Sequence, residues 1–337
     1  MTEQDLMDPK RQPTLAGVER AAQKIAAILP PTPLLPLTVE GRTIWCKAEC
    51  LQPIGAFKIR GAWHRLTDLT DEQRPRGVVA FSSGNHAQGV AWAARRLGIP
   101  AIIVMPEDAP RAKLDNTRAL GAEVLTYDRM SGSREQLAAD LAAKSGAVVV
   151  PSFDDPWIVE GQGSCGVEMR EQMLALTGSI PDQVVVCCGG GGLSSGSTLA
   201  NPDARIVVVE PEGWDDMKRS LEGGTIVPVG DNPPATECDA LQTLRVAPIT
   251  FDILKARNAL GLSVTQDEVH YAMRVAFAQL HLVLEPGGAV ALAAILAGTI
   301  PLTDHTAITL SGGNVDPALF SAIIEERYTP ETWGAAP

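Results

Sequence analysis

The chain has 337 residues, is 45% hydrophobic and 20% charged, and carries a formal net charge of −12. That composition supports a substantial core in about two domains and is unlike that of a disordered chain. The acidic balance, with no basic stripe, argues against a nucleic-acid interface; apolar runs broken by charge, glycine or proline are too short to span a membrane.

The opening MTEQDLMDPKRQPT lacks the apolar segment of a secretory signal, so a cytoplasmic location is expected. Residues 14–29 have helical spacing that Pro30 and Pro31 stop. TIWCKAE (43–49) reads as a short strand, followed by a glycine-bearing bend and a helix around Lys58. The middle then alternates. GVVAF (77–81), AIIVM (101–105), EVLTY (123–127) and AVVV (147–150) read as strands. HAQGVAWAARRLG, APRAKLDNTRALG and SREQLAADLAAKSG read as the helices between them. Such βα units predict a parallel sheet covered by helices on both faces. The theme returns with a helix over 160–176 and strands at QVVVCC (183–188) and ARIVVVEP (204–211). A helix over 265–280 capped by Thr265, a buried helix over 289–298 and a closing strand and loop, AITLSGGNV (307–315), complete the pattern. An open α/β enzyme fold is expected, because the uneven spacing does not suit a closed eightfold barrel.

Six cysteines, Cys46, Cys50, Cys165, Cys187, Cys188 and Cys238, do not by themselves imply disulfides in a chain of this size. Cys187 and Cys188 end an apolar run and read as small buried residues. No second ligand cluster near Cys46 and Cys50 supports structural zinc.

Three polar loops follow apolar strands. Gly189–Gly192 relieve side-chain crowding and let backbone donors face an anion, with a helix start beyond them. The alternative is a flexible turn. Neither GxxxxGK[ST] nor a convincing GxGxxG is present, so the anion need not belong to ATP or NAD. SSGNHAQG (82–89) offers Ser82, Ser83 and Asn85 for a carboxylate or a cofactor oxygen, while His86 caps the local helix or satisfies its own packing, with direct catalysis the lesser alternative. SGGN (311–314) offers Ser311 to a buried heteroatom, or is a serine-capped turn. Lys58, between two glycines in PIGAFKIRGA, is either a desolvated amine able to form a Schiff base or a surface cation.

PIGAFKIRGA (53–62), SSGNHAQG, GGGGLSSG (189–196), EPEGWDD (210–216), EPGGA (285–289) and SGGNVD (311–316) occur in this order. With them the chain resembles the serine/threonine dehydratase and serine racemase family of fold-type-II pyridoxal-phosphate enzymes, from about residue 14 to about 327. The resemblance implies two open, mainly parallel sheet domains flanked by helices, as in the tryptophan synthase β fold. It places a large cofactor domain over 1–75 and 152–328, a small closing domain over 76–151 and a peripheral tail over 329–337. It implies Lys58 as the Schiff-base lysine, Phe57 beside the ring, Asn85 at its phenolic oxygen and Gly189, Gly190, Gly191, Gly192 and Leu193 around its phosphate. Ser311 partners the pyridine nitrogen. Ser82, Ser83, Asn85 and His86 form the substrate carboxylate loop, with Ser83 also at the position of the racemases' opposite-face acid/base. Arg134 resembles a substrate-side arginine.

Glu210, the carbonyl of Trp214 and Asp216 match a divalent-metal site of some relatives, suited to Mg2+, with Asp215 facing solvent. Glu285 matches a polar network near the cofactor edge, Gly287 and Gly288 shaping the turn beside it. Ala56 stands where the family usually has serine, which removes one hydroxyl contact and keeps the lysine. The implied activity is dehydration of L-threonine or L-serine to 2-oxobutanoate or pyruvate and ammonia by a homodimer. Serine racemization and 3-hydroxyaspartate dehydration are alternatives, and a pyridoxal-phosphate-dependent ligand sensor is the non-enzyme rival.

Overall fold

The computed structural model describes residues 8–82, 84–107, 109, 111–128 and 133–326. Ser83 and the tail over 329–337 lie outside the described residues.

In chain order the elements are α1 (Leu15–Ala26), β1 (Leu34–Val39), β2 (Arg42–Ala48), α2 (Lys58–Thr67), β3 (Val78–Phe81), α3 (Asn85–Leu97) and β4 (Ala101–Pro106). Then come α4 (Arg111–Ala119), β5 (Glu123–Tyr127), α5 (Arg134–Ser145), β6 (Val148–Val149), α6 (Pro156–Thr177), β7 (Gln183–Cys187) and α7 (Gly192–Ala200). The rest are β8 (Arg205–Pro211), α8 (Asp216–Gly223), α9 (Pro248–Ala256), β9 (Leu260–Val264), α10 (Gln266–Val275), α11 (Pro286–Leu296), β10 (Thr306–Leu310) and α12 (Pro317–Ile324).

Side-chain caps set several helix starts. Thr14 accepts from the Gly17 N–H at 3.0 Å, and Thr265 with Glu268 forms a capping box. Asp155 accepts from the Ile158 N–H at 3.0 Å ahead of Pro156, so α6 begins four residues before the expected start at 160. The helix expected over 265–280 is α-helical only to Val275 and continues as a π-helical turn over Ala276–Leu280. Gly287 and Gly288, expected in a turn, lie inside the first turn of α11. A Cβ on Gly288 would sit 2.2 Å from the Gly312 carbonyl oxygen, so the helix start needs a glycine to approach that loop.

Two sheets organise the chain. The larger runs β1-β2-β10-β7-β8-β9, parallel throughout except for the antiparallel β1–β2 edge. The smaller, β5-β4-β3-β6, is wholly parallel. This is the two-sheet, helix-flanked architecture of the tryptophan synthase β type. Each sheet has its own apolar core: Val184–Val186 and Val207–Val209 centre the first, and Val78, Ala80, Ile103 and Met105 lie in the second. The register sets Ile308 opposite Val185, so β10 and β7 end together. Their following loops, Ser311–Asn314 and Gly189–Gly192, therefore emerge at one carboxyl edge, where open α/β sheets bind ligands. Among the described residues no helix is long and apolar enough to cross a membrane.

Candidate active site

Lys58 owes its position to the backbone on both sides of it. Gly55 turns the chain at φ +73°, and Ala56 forms an isolated antiparallel bridge with Gly312. The Phe57 N–H then donates to the Ser311 carbonyl at 3.1 Å, and α2 starts at Lys58. Behind it, α2 packs closely on α6: a Cβ on Gly161 would lie 2.5 Å from the Gly61 Cα. Arg60, fully buried, ties the same turn down through Glu49 at 2.6 Å and Glu168 at 2.7 Å. Burial would raise the Glu49 carboxyl, yet Arg60 overcomes this and holds it at about 2.

The Lys58 Nζ donates to the Ser152 carbonyl at 3.0 Å and lies 5.1 Å from the centre of the Phe57 ring. Burial, opposed by Cys187 and Glu285, lowers its pKa to about 8. An amine in that state has an appreciable neutral, nucleophilic fraction near physiological pH.

Lys58 sits where two clefts meet. A narrow one of 60 Å3 is bounded by Phe57, Gly189–Gly192, Leu193 and Ser311. A wider one of 420 Å3 is bounded by Ser82, His86, Lys113, Arg134, Asp239 and Arg245. Asn85, Ser152, Phe153 and Glu285 face both. The residues expected from sequence at the cofactor and substrate therefore converge, except Ser83, which lies outside the described residues; Glu210, Trp214 and Asp216 stand apart near α8.

The glycine loop is fitted to its surroundings. Gly191 has φ +89°, and a Cβ on Gly190 would lie 2.1 Å from the Phe153 ring. Thr250 Oγ1 donates to the Gly190 carbonyl at 2.8 Å, and Ser194 Oγ to that of Gly191 at 3.1 Å. Those bonds occupy two of the loop's carbonyls, and the loop lines the cleft beside the start of α7, a position suited to an anion.

Polar partners fix the remaining groups. The Asn85 amide donates to Glu285 at 2.6 Å and its oxygen accepts from Asn314 at 2.7 Å. Burial, then Asp239, raises the Glu285 carboxyl to about 7. The His86 Nε2 lies 2.8 Å from the Val150 carbonyl; burial, then Lys58, lowers this ring to about 3, so it is neutral. The Ser82 Oγ accepts from the Gly84 N–H at 3.2 Å. The Arg134 Nε donates to Glu135 at 2.8 Å, and its guanidinium lies 5.9 Å from the Phe81 ring centre.

At α8, Glu210 accepts from the N–H groups of Met217 at 3.0 Å and Lys218 at 2.8 Å. Asp216 accepts from the Val246 N–H at 2.8 Å through one oxygen, and its other oxygen is buried with no hydrogen-bond partner among the described residues. Asp215 is half-buried and paired with Lys218 at 3.6 Å and Arg219 at 3.3 Å, so it does not simply face solvent.

Sequence reasoning did not single out Ser152, Phe153, Thr250, Lys113 or Asp239. Ser152 acts through its backbone carbonyl, which no side-chain pattern reports. Phe153 was open to inference: a bulky ring beside the strand end needs a side-chain-free loop opposite it.

The chain matches the pyridoxal-phosphate dependent enzyme family over residues 25–312. The chain belongs to that family. It is 37% identical over 313 residues to a serine racemase of Schizosaccharomyces pombe, covering 90% of this chain and 95% of that protein. An L-threo-3-hydroxyaspartate ammonia-lyase of Saccharomyces cerevisiae is 38% identical over 324 residues, covering 94% and 97%. The crystal structure of a T.th. threonine deaminase superposes with a TM-score of 0.83 at 40% identity, covering 90% of this chain and 99% of that one. This family member is a fold-type-II enzyme with pyridoxal phosphate as its cofactor, of the racemase or lyase type.

The residues present fit that cofactor. A low-pKa amine, a glycine loop free of side chains, an aromatic side chain and a buried serine bound one narrow cleft.

Proposed function

We propose that this pyridoxal-phosphate enzyme is an ammonia-lyase for a small β-hydroxy amino acid, L-threonine or L-serine. Gly189–Gly192 and Leu193 would hold the phosphate, Phe57 and Ser311 the ring, and Lys58 the aldehyde carbon. Bound there, the cofactor supplies an electron sink for a bond broken at the substrate Cα.

The observation that carries the reading is the Lys58 amine at about 8, at the junction of the cofactor cleft and the wider pocket. Once free, its Nζ is suited to take the Cα proton, and the Ser152 carbonyl at 3.0 Å orients it. Ser82 and Asn85 are proposed to hold the substrate carboxylate, with neutral His86 packing behind them. Ser311 is a neutral partner for a ring nitrogen and does not enforce its protonation, which favours loss of the β-hydroxyl over a long-lived carbanion. Closure of the layer over 76–151 onto the larger body would exclude water while charge develops.

Lys58, lowered toward neutrality where it lines the pocket, is proposed as the base of the elimination. Racemization needs a second group on the opposite face, the role the resemblance gives to Ser83. Ammonia, 2-oxo acid and both serine enantiomers should be measured together with purified holoenzyme. The reading expects ammonia and 2-oxo acid in equal amounts from threonine or serine. Enantiomer exchange without ammonia would replace it with the racemase; binding with neither product would favour a sensor.

Glu210, the Trp214 carbonyl and Asp216 are proposed to hold a divalent cation such as Mg2+. The unpartnered, buried Asp216 oxygen supports this. Through the Val246 N–H, Asp216 also reaches the pocket wall. Added Mg2+ should raise the melting temperature of the wild type and leave Asp216→Asn unmoved. A homodimer belongs to the same reading, and sedimentation of the holoenzyme tests it.

A further inference from the structure

Among the described residues, three cations other than Lys58 line the wider pocket: Lys113, Arg134 and Arg245. Each has an acid at hand. Arg134 pairs with Glu135, its own sequence neighbour, so that pair joins no two separate parts of the fold. Arg245 is exposed and acts on Asp154. Lys113 differs from both. It stands on α4, beside the smaller sheet, and pairs with Asp239, 126 residues away in a 3-10 turn against the larger body. Its side chain is 23% exposed, against 40% for Arg134, while that of Asp239 is 50% exposed, so the pair is a partly exposed one.

The Asp239 segment is itself firmly seated. A Cβ on Gly189 would lie 3.1 Å from the Leu241 Cα, and one on Gly287 3.5 Å from the Ala240 Cβ. Asp239 is thus anchored beside the glycine loop, and it must approach Lys113 across the pocket. Both charges are felt inside the site: Asp239 helps raise the Glu285 carboxyl, and Lys113 opposes it.

We propose that the Lys113–Asp239 pair is a charge gate that selects the substrate side chain. Closed, it presents a neutralised wall that accepts a neutral side chain such as that of threonine or serine. A second carboxylate enters well only by displacing Asp239 from Lys113. The inference rests on the reading that this pocket takes an amino acid. It adds the residues that discriminate hydroxy monocarboxylates from hydroxy dicarboxylates, as an unfavourable contact against one class together with a favourable one for the other.

The test uses holoenzyme and two probes without a β-hydroxyl, so that binding is read apart from dehydration. L-2-aminobutyrate has a neutral side chain and L-aspartate an acidic one. Calorimetric titration gives the ratio of their dissociation constants. Asp239→Asn frees Lys113 and should shift the ratio toward aspartate by roughly fivefold, the scale of a partly exposed ion pair. Lys113→Gln leaves Asp239 unopposed and should shift it away from aspartate by a similar factor. Shifts below about twofold in both variants, or in the same direction, overturn the gate. So does a wild type that binds neither probe. If one variant fails to fold, the sign of the shift in the other decides. A wild type that binds the probes yet releases no ammonia from threonine, serine or 3-hydroxyaspartate overturns the lyase reading instead, and the ratio still judges the gate.

Discussion

On the cofactor side of Lys58, shape comes from the backbone and from small residues. Gly189–Gly192, Ala56 and Ser311 lie against strand ends, and the Arg60–Glu49 pair behind them is fully buried on both sides. On the substrate side the wall carries long charged side chains among its polar and apolar ones, and the Arg134–Glu135 pair is 40% and 56% exposed. The first wall cannot change without rebuilding the fold. The second can change by exchanging a side chain. Chemistry common to the family belongs on the rigid wall and substrate choice on the adjustable one.

Removing charge from each wall sharpens the contrast most. Arg60→Met leaves Glu49 and Glu168 without their main partner and should lower unfolding free energy by about 3–5 kcal/mol in denaturant titration. Glu135→Gln on the other wall should change it by less than about 1 kcal/mol. Equal losses would break the comparison.

Adding a methyl group comes next. In Gly190→Ala the new carbon meets the Phe153 ring, and overpacking of this kind costs about 1–3 kcal/mol. If the loop holds the phosphate, cofactor affinity falls roughly tenfold to a hundredfold, measured by equilibrium titration of apoprotein. Unchanged affinity would remove the loop from the cofactor site.

A smaller effect is expected from Glu285, whose carboxyl rises from 4.5 to about 7 through burial and Asp239. The folded protein holds this proton more tightly than the unfolded chain. Its contribution to stability is therefore full below pH 4.5 and is lost as pH rises through about 7. In Glu285→Gln the apoprotein should lose less stability than wild type across that window, as read from melting temperature against pH. Parallel profiles would contradict the assignment.

The βα alternation was legible because buried parallel strands are continuous apolar runs and their helices end at glycines such as Gly98 and Gly146. The edges of the larger sheet were not. β1 contains Pro36, which reads as a break and is tolerated on an edge strand, while β9 is interrupted by Gly261, where a Cβ would lie 2.5 Å from the Lys218 Cα. The helix α9 starts at Pro248 without a side-chain cap and gave little local signal. The site followed the same division. Lys58, Asn85 and the glycine loop stand in motifs, so the sequence shows them. Lys113 and Asp239 meet only through tertiary folding, and no local spacing relates residues 126 apart.

The central claim is a covalent bond between the Lys58 amine and the cofactor aldehyde. Holoenzyme should be reduced with borohydride, digested and mapped by mass spectrometry. One phosphopyridoxyl group is expected, on the peptide containing Lys58 and absent from Lys58→Ala. Its stable attachment to Lys47, Lys113 or another lysine, with Lys58 unmodified, would contradict the account.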